Sequence, residues 1–348
     1  MGASSSSSAS KRVQDDAPFQ GVTPPAAVPT APRYPTRHVD VLGKRMACVE
    51  VAALPPPRDG DGGSYGVVDT IVFVHGNPTN KYMWRNVMPH CADLGCRLLA
   101  PDLIGMGESD KLENYDDPDR YAMGQQSRYF GAFLAAVGVT ARVWLVGHSW
   151  GGTLCAHWGS QHPDAVRGLV TAEVVYVPFP TWERVPKKIR GGVKLLKRTK
   201  KVCCCCCAFD VGAKLLLEKN LMIESMKDRV NRPLADEEMR HYRQPFLEPG
   251  EPRRPILSFV RSIPVAGDPK DVVDIMGAGR AWLEASDLPK LFLSVQPGTM
   301  MEGDRDFVRG LKNVTEVPVA AGHMVTEDSP DAVGQAIAQW YRETTTGR

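Results

Sequence analysis

The sequence lacks several features that would place it in large classes of proteins. No apolar run reaches the roughly 18 residues of a membrane-spanning helix. No apolar segment follows the N-terminal residues, which argues against a secretory signal peptide. The net charge of +2 gives no general indication of a nucleic-acid partner. What is present, 43% apolar and 24% charged residues, is the composition of a soluble globular enzyme.

The cysteines are spaced in a way that argues against a disulfide framework. Five of the nine form the single run Cys203–Cys207, and the others show no C-x-x-C spacing: Cys48, Cys91, Cys96 and Cys155. Adjacent cysteines seldom pair, because a disulfide requires particular Cα separations. We therefore expect reduced thiols and a cytoplasmic protein. Five contiguous cysteines also lack the spacing of a tetrahedral metal site, and we predict neither a metal nor an organic cofactor.

The most informative feature that is present is the motif G-x-S-x-G at residues 147–151. It follows the apolar run Val143–Val146 and precedes a sequence typical of a helix start. A strand, a tight turn and a helix in this order form the nucleophile elbow of α/β-hydrolases. Glycine is needed at Gly147 and Gly151 because larger side chains beside so tight a turn would collide. The motif therefore predicts Ser149 as a nucleophile raised above a sheet.

Strand-like and helix-like segments alternate along most of the chain. The predicted strands are 36–42, 44–52, 70–74, 97–100, 143–146, 168–173, 291–295 and 314–317. This alternation predicts the α/β-hydrolase fold, a doubly wound, mostly parallel eight-stranded sheet. The alternation disappears in the basic, helix-prone segment 178–270, which we interpret as a helical cap inserted over the carboxyl edge of the sheet. The core then comprises 36–177 and 271–348, after a Ser/Pro/Ala-rich tail at 1–35 that we expect to be disordered.

A serine nucleophile needs a general base, and the base needs an orienting acid. In this fold the order along the chain is serine, acid, histidine. His323 lies in the loop between the last predicted strand and the final helix, where the fold presents its base. We favour Glu173 as the acid, because a carboxylate buried at the end of a strand requires a hydrogen-bond partner. Glu302, which follows the strand 291–295, is the alternative.

The reaction also needs two N–H groups that stabilise a developing negative charge. One is expected from the backbone of Trp150, the residue after the nucleophile, and the other from Asn77 in the loop after Val74. Both side chains can donate a hydrogen bond as well, through the Asn77 amide and the Trp150 indole. The sequence therefore predicts that these two residues line the same pocket.

Six blocks outside the elbow carry a more specific signal: His75–Asn80, Met83–His90, Pro101–Gly107, Glu248–Pro255, Ile263–Gly267 and Glu327–Pro330. Together, from about Val72 to the C-terminus, they resemble haloalkane dehalogenases and the related Renilla-type luciferases that oxidise coelenterazine. The resemblance implies that Asn77 and Trp150 form the halide-stabilising pair. It also implies that Glu173 is the acid and His323 the base. One departure is important, because the family nucleophile is aspartate and this chain has Ser149.

The change of nucleophile alters the chemistry that is feasible. An aspartate that attacks an alkyl halide forms an ester, which water can cleave at the carboxyl carbon. Ser149 would form an ether, which offers water no carbonyl to attack. Serine suits acyl transfer, so we expect a hydrolase that cleaves an ester, thioester or lactone with a small apolar acyl group. The alternatives are dehalogenase-like activity, luciferase-like coelenterazine-type monooxygenase activity and a non-catalytic ligand-binding homologue.

Two segments indicate possible contact with a membrane surface. The N-terminus fits the N-myristoylation pattern at Gly2, although a disordered serine-rich tail is the interpretation we favour. A basic stretch, Lys187–Lys201, precedes Cys203–Cys207, and basic residues beside cysteines can accompany S-acylation. The alternative for this stretch is a variable cap loop without a role. Peripheral membrane association is therefore a secondary expectation beside a cytoplasmic location.

Overall fold

A computed structural model describes residues 28–53, 68–197 and 210–346, so Gly2 and Cys203–Cys207 lie outside the described residues. The sheet contains eight strands: β1 (Thr36–Val41), β2 (Lys44–Val51), β3 (Thr70–Val74), β4 (Arg97–Pro101), β5 (Val143–His148), β6 (Val166–Ala172), β7 (Lys290–Pro297) and β8 (Val314–Ala321). Their order across the sheet is β1-β2-β4-β3-β5-β6-β7-β8. Only the pairs formed by β2 are antiparallel, and all others are parallel.

The helices are α1 (Met123–Ala136), α2 (Trp150–Gln161), α3 (Lys187–Lys197), α4 (Val211–Ala213), α5 (Leu221–Glu224), α6 (Asp236–Arg243), α7 (Arg254–Arg261), α8 (Lys270–Ala285), α9 (Glu302–Arg309), α10 (Val325–Asp328) and α11 (Pro330–Thr346). Short 3-10 helices occur at Lys81–Trp84, Met88–Cys91, Met226–Arg229, Gln244–Phe246 and Glu251–Arg253, and a π-helical turn at Lys214–Glu218. Helices α1, α2 and α8 contact one another, while α11 contacts β7 and β8. The predicted fold class is confirmed: a mostly parallel eight-stranded sheet with an inserted set of helices.

The central strands explain why the site forms where it does. Strands β3 and β5 are buried along their whole length, as expected for parallel strands covered on both faces. They pair in parallel with Val74 opposite Gly147. The residues that follow these two positions therefore lie side by side at the carboxyl edge of the sheet.

The predicted end of the last strand was wrong. Strand β8 continues to Ala321 rather than ending near Val317, and its pairing with β7 continues to Pro297 opposite Ala321. Pro318 and the alanines that follow have little preference for strands, which explains the short prediction. An edge strand such as β8 tolerates a proline because one side of its backbone needs no partner strand.

The two ends of the helical segment between β6 and α8 lie side by side and are joined by backbone hydrogen bonds. The N–H of Phe179 donates to the carbonyl of Pro264 at 3.0 Å, and the N–H of Ala266 donates to Phe179 at 2.8 Å. In the parts of the chain that the structure covers, no helix is both long and apolar enough to cross a membrane. The cysteines Cys48, Cys91, Cys96 and Cys155 are all free and buried.

A network of buried ion pairs connects the inserted helices between β6 and α8 to the rest of the protein. We call it the Arg85 network; its members are Arg85, Arg232, Glu238, Tyr242 and Glu327. Two contacts of 2.6 and 2.8 Å join Arg85 to both oxygens of Glu327, and a third of 2.6 Å joins it to Glu238. Arg232 bonds the same two carboxylates at 2.6 to 2.9 Å, and the Tyr242 hydroxyl donates to Glu327. Because two cations face two anions, each buried charge has a partner of opposite sign.

This network predicts a large stability effect for Glu327→Gln. The substitution preserves shape but leaves the buried guanidinium groups with an excess positive charge, and Glu327 itself is fully buried. We expect the free energy of unfolding to fall by about 3 kcal/mol, the usual cost of breaking a buried ion pair. Urea unfolding followed by circular dichroism measures the change. Glu113→Gln is the matched control, because the Glu113 side chain is 76% exposed. Equal small losses in both variants would contradict the importance of the network.

Candidate active site

The turn after β5 has the strained geometry of a nucleophile elbow. Ser149 has φ +52° and ψ −128°, a conformation that non-glycine residues seldom adopt. The backbone on either side of this turn lies close to the end of β3. A Cβ atom on Gly76 would lie 2.7 Å from the Ser149 Cβ, and one on Gly151 would overlap the Val74 carbonyl oxygen. These glycines therefore permit β3 and β5 to converge beneath the serine.

The structure brings Glu173 to His323. Glu173 follows β6 and is 2% exposed. His323 follows β8, and its Nδ1 atom lies 3.1 Å from Glu173 Oε2. With Nδ1 directed at the carboxylate, Nε2 is the nitrogen available to accept a proton. The alternative acid, Glu302, lies on α9 with a side chain 72% exposed, where it pairs with Arg309.

Thr299 is a residue of the site that the sequence did not reveal. It follows β7, in the stretch Gln296–Thr299 that lacks the carboxylate many α/β-hydrolases carry there. Its N–H and its hydroxyl reach Glu173 Oε2 at 2.5 and 2.8 Å, and the hydroxyl oxygen also lies 2.8 Å from His323 Nδ1. Gly298 makes this approach possible, since a Cβ there would lie 2.5 Å from Glu173 Oε1.

The surroundings of Glu173 hold it ionised. Burial raises its pKa, but hydrogen bonds and charge from His323, together with hydrogen bonds from Thr299, outweigh burial and lower the pKa below its ordinary value. All of these donors bind Oε2. The other oxygen, Oε1, is buried and has no hydrogen-bond partner among the described residues. The negative charge is therefore compensated on the side that faces His323.

Two other histidines support the site in their neutral forms. The His148 Nε2 atom lies 2.7 Å from the carbonyl oxygen of His323, and burial lowers the pKa of His148 to about 3. His148 therefore donates to that carbonyl and anchors the backbone of His323. Burial also lowers the pKa of His75, which accepts a hydrogen bond from the Leu103 N–H at 2.9 Å. His75 thereby ties the loop after β3 to the loop after β4.

Asn77 and Trp150 both lie at the carboxyl edge of the sheet. Asn77 is 6% exposed, and its Oδ1 atom is buried without a hydrogen-bond partner among the described residues. Trp150 is the first residue of α2, where backbone N–H groups and the helix dipole favour negative charge. Its ring packs against Phe259 with centroids 6.4 Å apart. The start of α2 therefore suits the stabilisation of an anion beside Ser149.

Asp304 is a second buried carboxylate near the acid. Its Oδ1 atom accepts hydrogen bonds from the N–H groups of Tyr176 and Val177 at 2.7 and 2.8 Å. Burial raises the pKa of Asp304 to about 6 despite these bonds. Asp304 therefore holds the backbone just beyond Glu173. Across residues 28–53, 68–197 and 210–346, no group of three or more histidine, cysteine or carboxylate side chains is placed to hold a metal ion.

Comparisons with known proteins identify relatives of this chain and of its fold. Residues 69–196 match the family model described as alpha/beta hydrolase fold. Haloalkane dehalogenases of Sphingobium indicum and Mycolicibacterium smegmatis are each 40% identical to the chain, over 88% and 89% of it and 95% and 92% of the relatives. The solved haloalkane dehalogenase DbeA from Bradyrhizobium elkani superposes with a TM-score of 0.77 at 31% identity, covering 90% of this chain and 99% of its own. DatA from Agrobacterium tumefaciens gives a TM-score of 0.75 at 26% identity, over 89% of this chain and 97% of its own.

The position of the two candidate acids predicts a clear difference between Glu173→Gln and Glu302→Gln. Loss of the carboxylate beside His323 should lower the rate at which a fluorophosphonate labels Ser149 by about 100-fold or more, because the base loses its orienting charge. Glu302→Gln, on an exposed helix, should label within about twofold of the wild type. Both rates are measured by quenching the labelling reaction at a series of times and determining the labelled fraction of intact protein by mass spectrometry. A larger loss in Glu302→Gln would reverse the assignment.

The raised pKa of Asp304 predicts that Asp304→Asn stabilises the protein near pH 7. The asparagine oxygen can keep both backbone hydrogen bonds, while the buried charge disappears. With a folded-state pKa of about 6 against 3.8 unfolded, the folded state binds the proton more tightly, so the wild type loses stability as pH rises from about 4 to 6. We expect the Asp304→Asn substitution to add about 2 kcal/mol at pH 7 and nothing near pH 4.

Urea unfolding at several pH values tests this dependence on Asp304. Asp164→Asn is the matched control, because Asp164 is exposed and its substitution should change stability little at any pH. An Asp304→Asn protein that is less stable than the wild type at pH 7 would show that the charge itself is needed.

Proposed function

The chain belongs to the haloalkane dehalogenase family of α/β-hydrolases, and from this premise we propose that it is a serine hydrolase of carboxylic esters, thioesters or lactones. The family relatives are named for dehalogenation and favour that alternative over ester hydrolysis. Our proposal depends on one observation: the atom at the elbow that can attack a substrate is the alcohol oxygen of Ser149. A small apolar acyl group is the substrate class that fits this chemistry.

In the proposed reaction, Ser149 Oγ attacks the carbonyl carbon while His323 Nε2 accepts the serine proton. Glu173 stabilises the imidazolium through Nδ1, 3.1 Å away. The carbonyl oxygen, now negatively charged, takes hydrogen bonds from the Trp150 N–H and from Asn77. His323 then gives the proton to the leaving alcohol or thiol. Water repeats the sequence on the acyl-enzyme, which releases the acid and restores Ser149.

Dehalogenation is the second candidate, because relatives that are 40% identical to this chain are named haloalkane dehalogenases. In that reaction Asn77 and Trp150 would stabilise the departing halide, as the family resemblance implies. Attack by Ser149 on a haloalkane would displace the halide once and leave an alkyl ether. Water has no carbonyl carbon to attack in that ether, so the enzyme would stop. Repeated dehalogenation would instead need His323 to activate water for direct displacement of the halide. That route does not use Ser149. Bromide release in Ser149→Ala therefore distinguishes the two candidates.

We predict that fluorophosphonate labels Ser149 and that both Ser149→Ala and His323→Ala abolish labelling. With 1-bromobutane, the wild type should release at most about one bromide per active site, because the ether cannot be cleaved. Mass spectrometry of the labelled peptide and bromide determination over several hours measure the two quantities. Many bromides per site, unchanged in Ser149→Ala, would favour the water-activation route and contradict our proposal.

Ser149→Asp supplies a sharp contrast in the same assay. The carboxylate oxygen would form an ester intermediate that His323 and water can hydrolyse, with Asn77 and Trp150 already in place. We expect this variant to release bromide over many turnovers while losing fluorophosphonate labelling. A Ser149→Asp protein that folds but releases no bromide would show that more than the nucleophile separates this chain from its dehalogenating relatives.

A further inference from the structure

We propose that Thr299 is a positioning residue, whose hydroxyl orients the His323 ring so that Glu173 acts on the base largely through Thr299. The base would then be held by a three-part relay, Glu173–Thr299–His323, rather than by the acid alone. This inference rests on the proposed function, since it takes His323 to be the general base.

The distances favour the hydroxyl as the first partner of the imidazole. The Thr299 oxygen lies 2.8 Å from His323 Nδ1, whereas the nearer Glu173 oxygen lies 3.1 Å away. A direct hydrogen bond from a charged N–H group to a carboxylate is usually about 2.7 to 2.9 Å long. The contact of 3.1 Å between His323 and Glu173 is longer than that. The second part of the relay, from the hydroxyl to Glu173 Oε2, is also 2.8 Å. Both parts of the relay are thus shorter than the direct contact between base and acid.

Counting protons determines the direction of the relay. An ionised carboxylate only accepts hydrogen bonds, so the Thr299 hydroxyl proton points at Glu173. The hydroxyl oxygen then has a lone pair for His323 Nδ1–H. This direction places the ring proton on Nδ1 and leaves Nε2 free to take the proton of Ser149. The reverse direction would place the ring proton on Nε2, where it would block proton transfer.

Other contacts hold the backbone of the site, so the hydroxyl can be tested by itself. The Thr299 N–H donates to Glu173 at 2.5 Å, and Thr299→Val and Thr299→Ser both keep this backbone donor. The backbone of His323 is fixed by His148 at 2.7 Å. The preceding residue, Gly322, donates its N–H to Asp328 at 2.7 Å. Loss of the hydroxyl should therefore free the imidazole ring without releasing its loop.

Thr299→Val is the decisive variant, because valine keeps the shape and removes only the hydroxyl. Thr299 is exposed, so a water could replace the hydroxyl in Thr299→Ala, and valine occupies that space. Thr299→Ser restores the hydroxyl. Thr326→Val is the matched control, since Thr326 is 1% exposed and its hydroxyl has no partner among the described residues.

The first readout is the rate at which a fluorophosphonate labels Ser149, with fluoride leaving phosphorus as the serine proton moves to His323. We expect Thr299→Val to label about tenfold more slowly, and Thr299→Ser and Thr326→Val to stay within about twofold of the wild type. Thr299→Val should add little to the loss in Glu173→Gln, because both changes break the same relay. Thermal unfolding shows that each variant is folded.

The second readout is the proton NMR signal of His323 Nδ1–H, assigned with Glu173→Gln, which does not depend on any reaction. The signal should move in Thr299→Val and keep its position in Thr299→Ser. An unmoved signal together with a labelling rate within twofold of the wild type would overturn the relay. If Thr299→Val does not fold, Thr299→Ile takes its place, because isoleucine also lacks the hydroxyl and fills its space, and a wild-type rate and signal in that variant would overturn the relay. Failure of the wild type to label would count against the proposed function instead, while the NMR signal would still test Thr299.

Discussion

The site depends on the close approach of two strand ends. Strands β3 and β5 are adjacent and parallel, and the turn after β5 forces Ser149 into φ +52°. Glycines at 76, 147 and 151 are required there, because a side chain at each would collide with the neighbouring backbone or with the serine. The same convergence that strains the serine places the loop of Asn77 and the start of α2 beside its oxygen. A strained residue is retained only where the surrounding structure holds it firmly, as two buried central strands do here.

Three buried carboxylates, Glu173, Glu327 and Asp304, differ in the groups that they contact. Glu173 faces an imidazole and a hydroxyl, Glu327 faces two guanidinium groups, and Asp304 accepts hydrogen bonds from the backbone N–H groups of Tyr176 and Val177. The partners determine the outcome in each case, because a buried charge is costly unless it is paired or hydrogen-bonded. Asp304, with the weakest compensation, has a raised pKa, and Glu173 has a lowered one. The Arg85 network joins the inserted helices to α10. Helix α10 begins two residues after His323.

The scaffold and the nucleophile point to different chemistry. The chain belongs to a family whose relatives are named haloalkane dehalogenases. Replacing a carboxylate nucleophile by an alcohol changes which covalent intermediate water can resolve, whatever the rest of the scaffold is. Under the proposed function, the side chain at position 149 is what separates ester hydrolysis from dehalogenation on this scaffold. Thr299, which follows β7, contacts His323 and Glu173 although no sequence pattern indicated it.

Local pattern determined the fold class, the elbow and the position of His323. Apolar runs bounded by glycine and proline identify buried strands because their periodicity and turn chemistry are properties of neighbouring residues. Tertiary structure alone decided which carboxylate meets His323, since Glu173 and Glu302 both follow strands and differ only in where those strands lie. It also decided the contacts of Thr299, 126 positions from Glu173, and the Arg85 network, which joins residues up to 242 positions apart. Such contacts arise when separate elements pack together, and no short stretch of sequence carries their geometry.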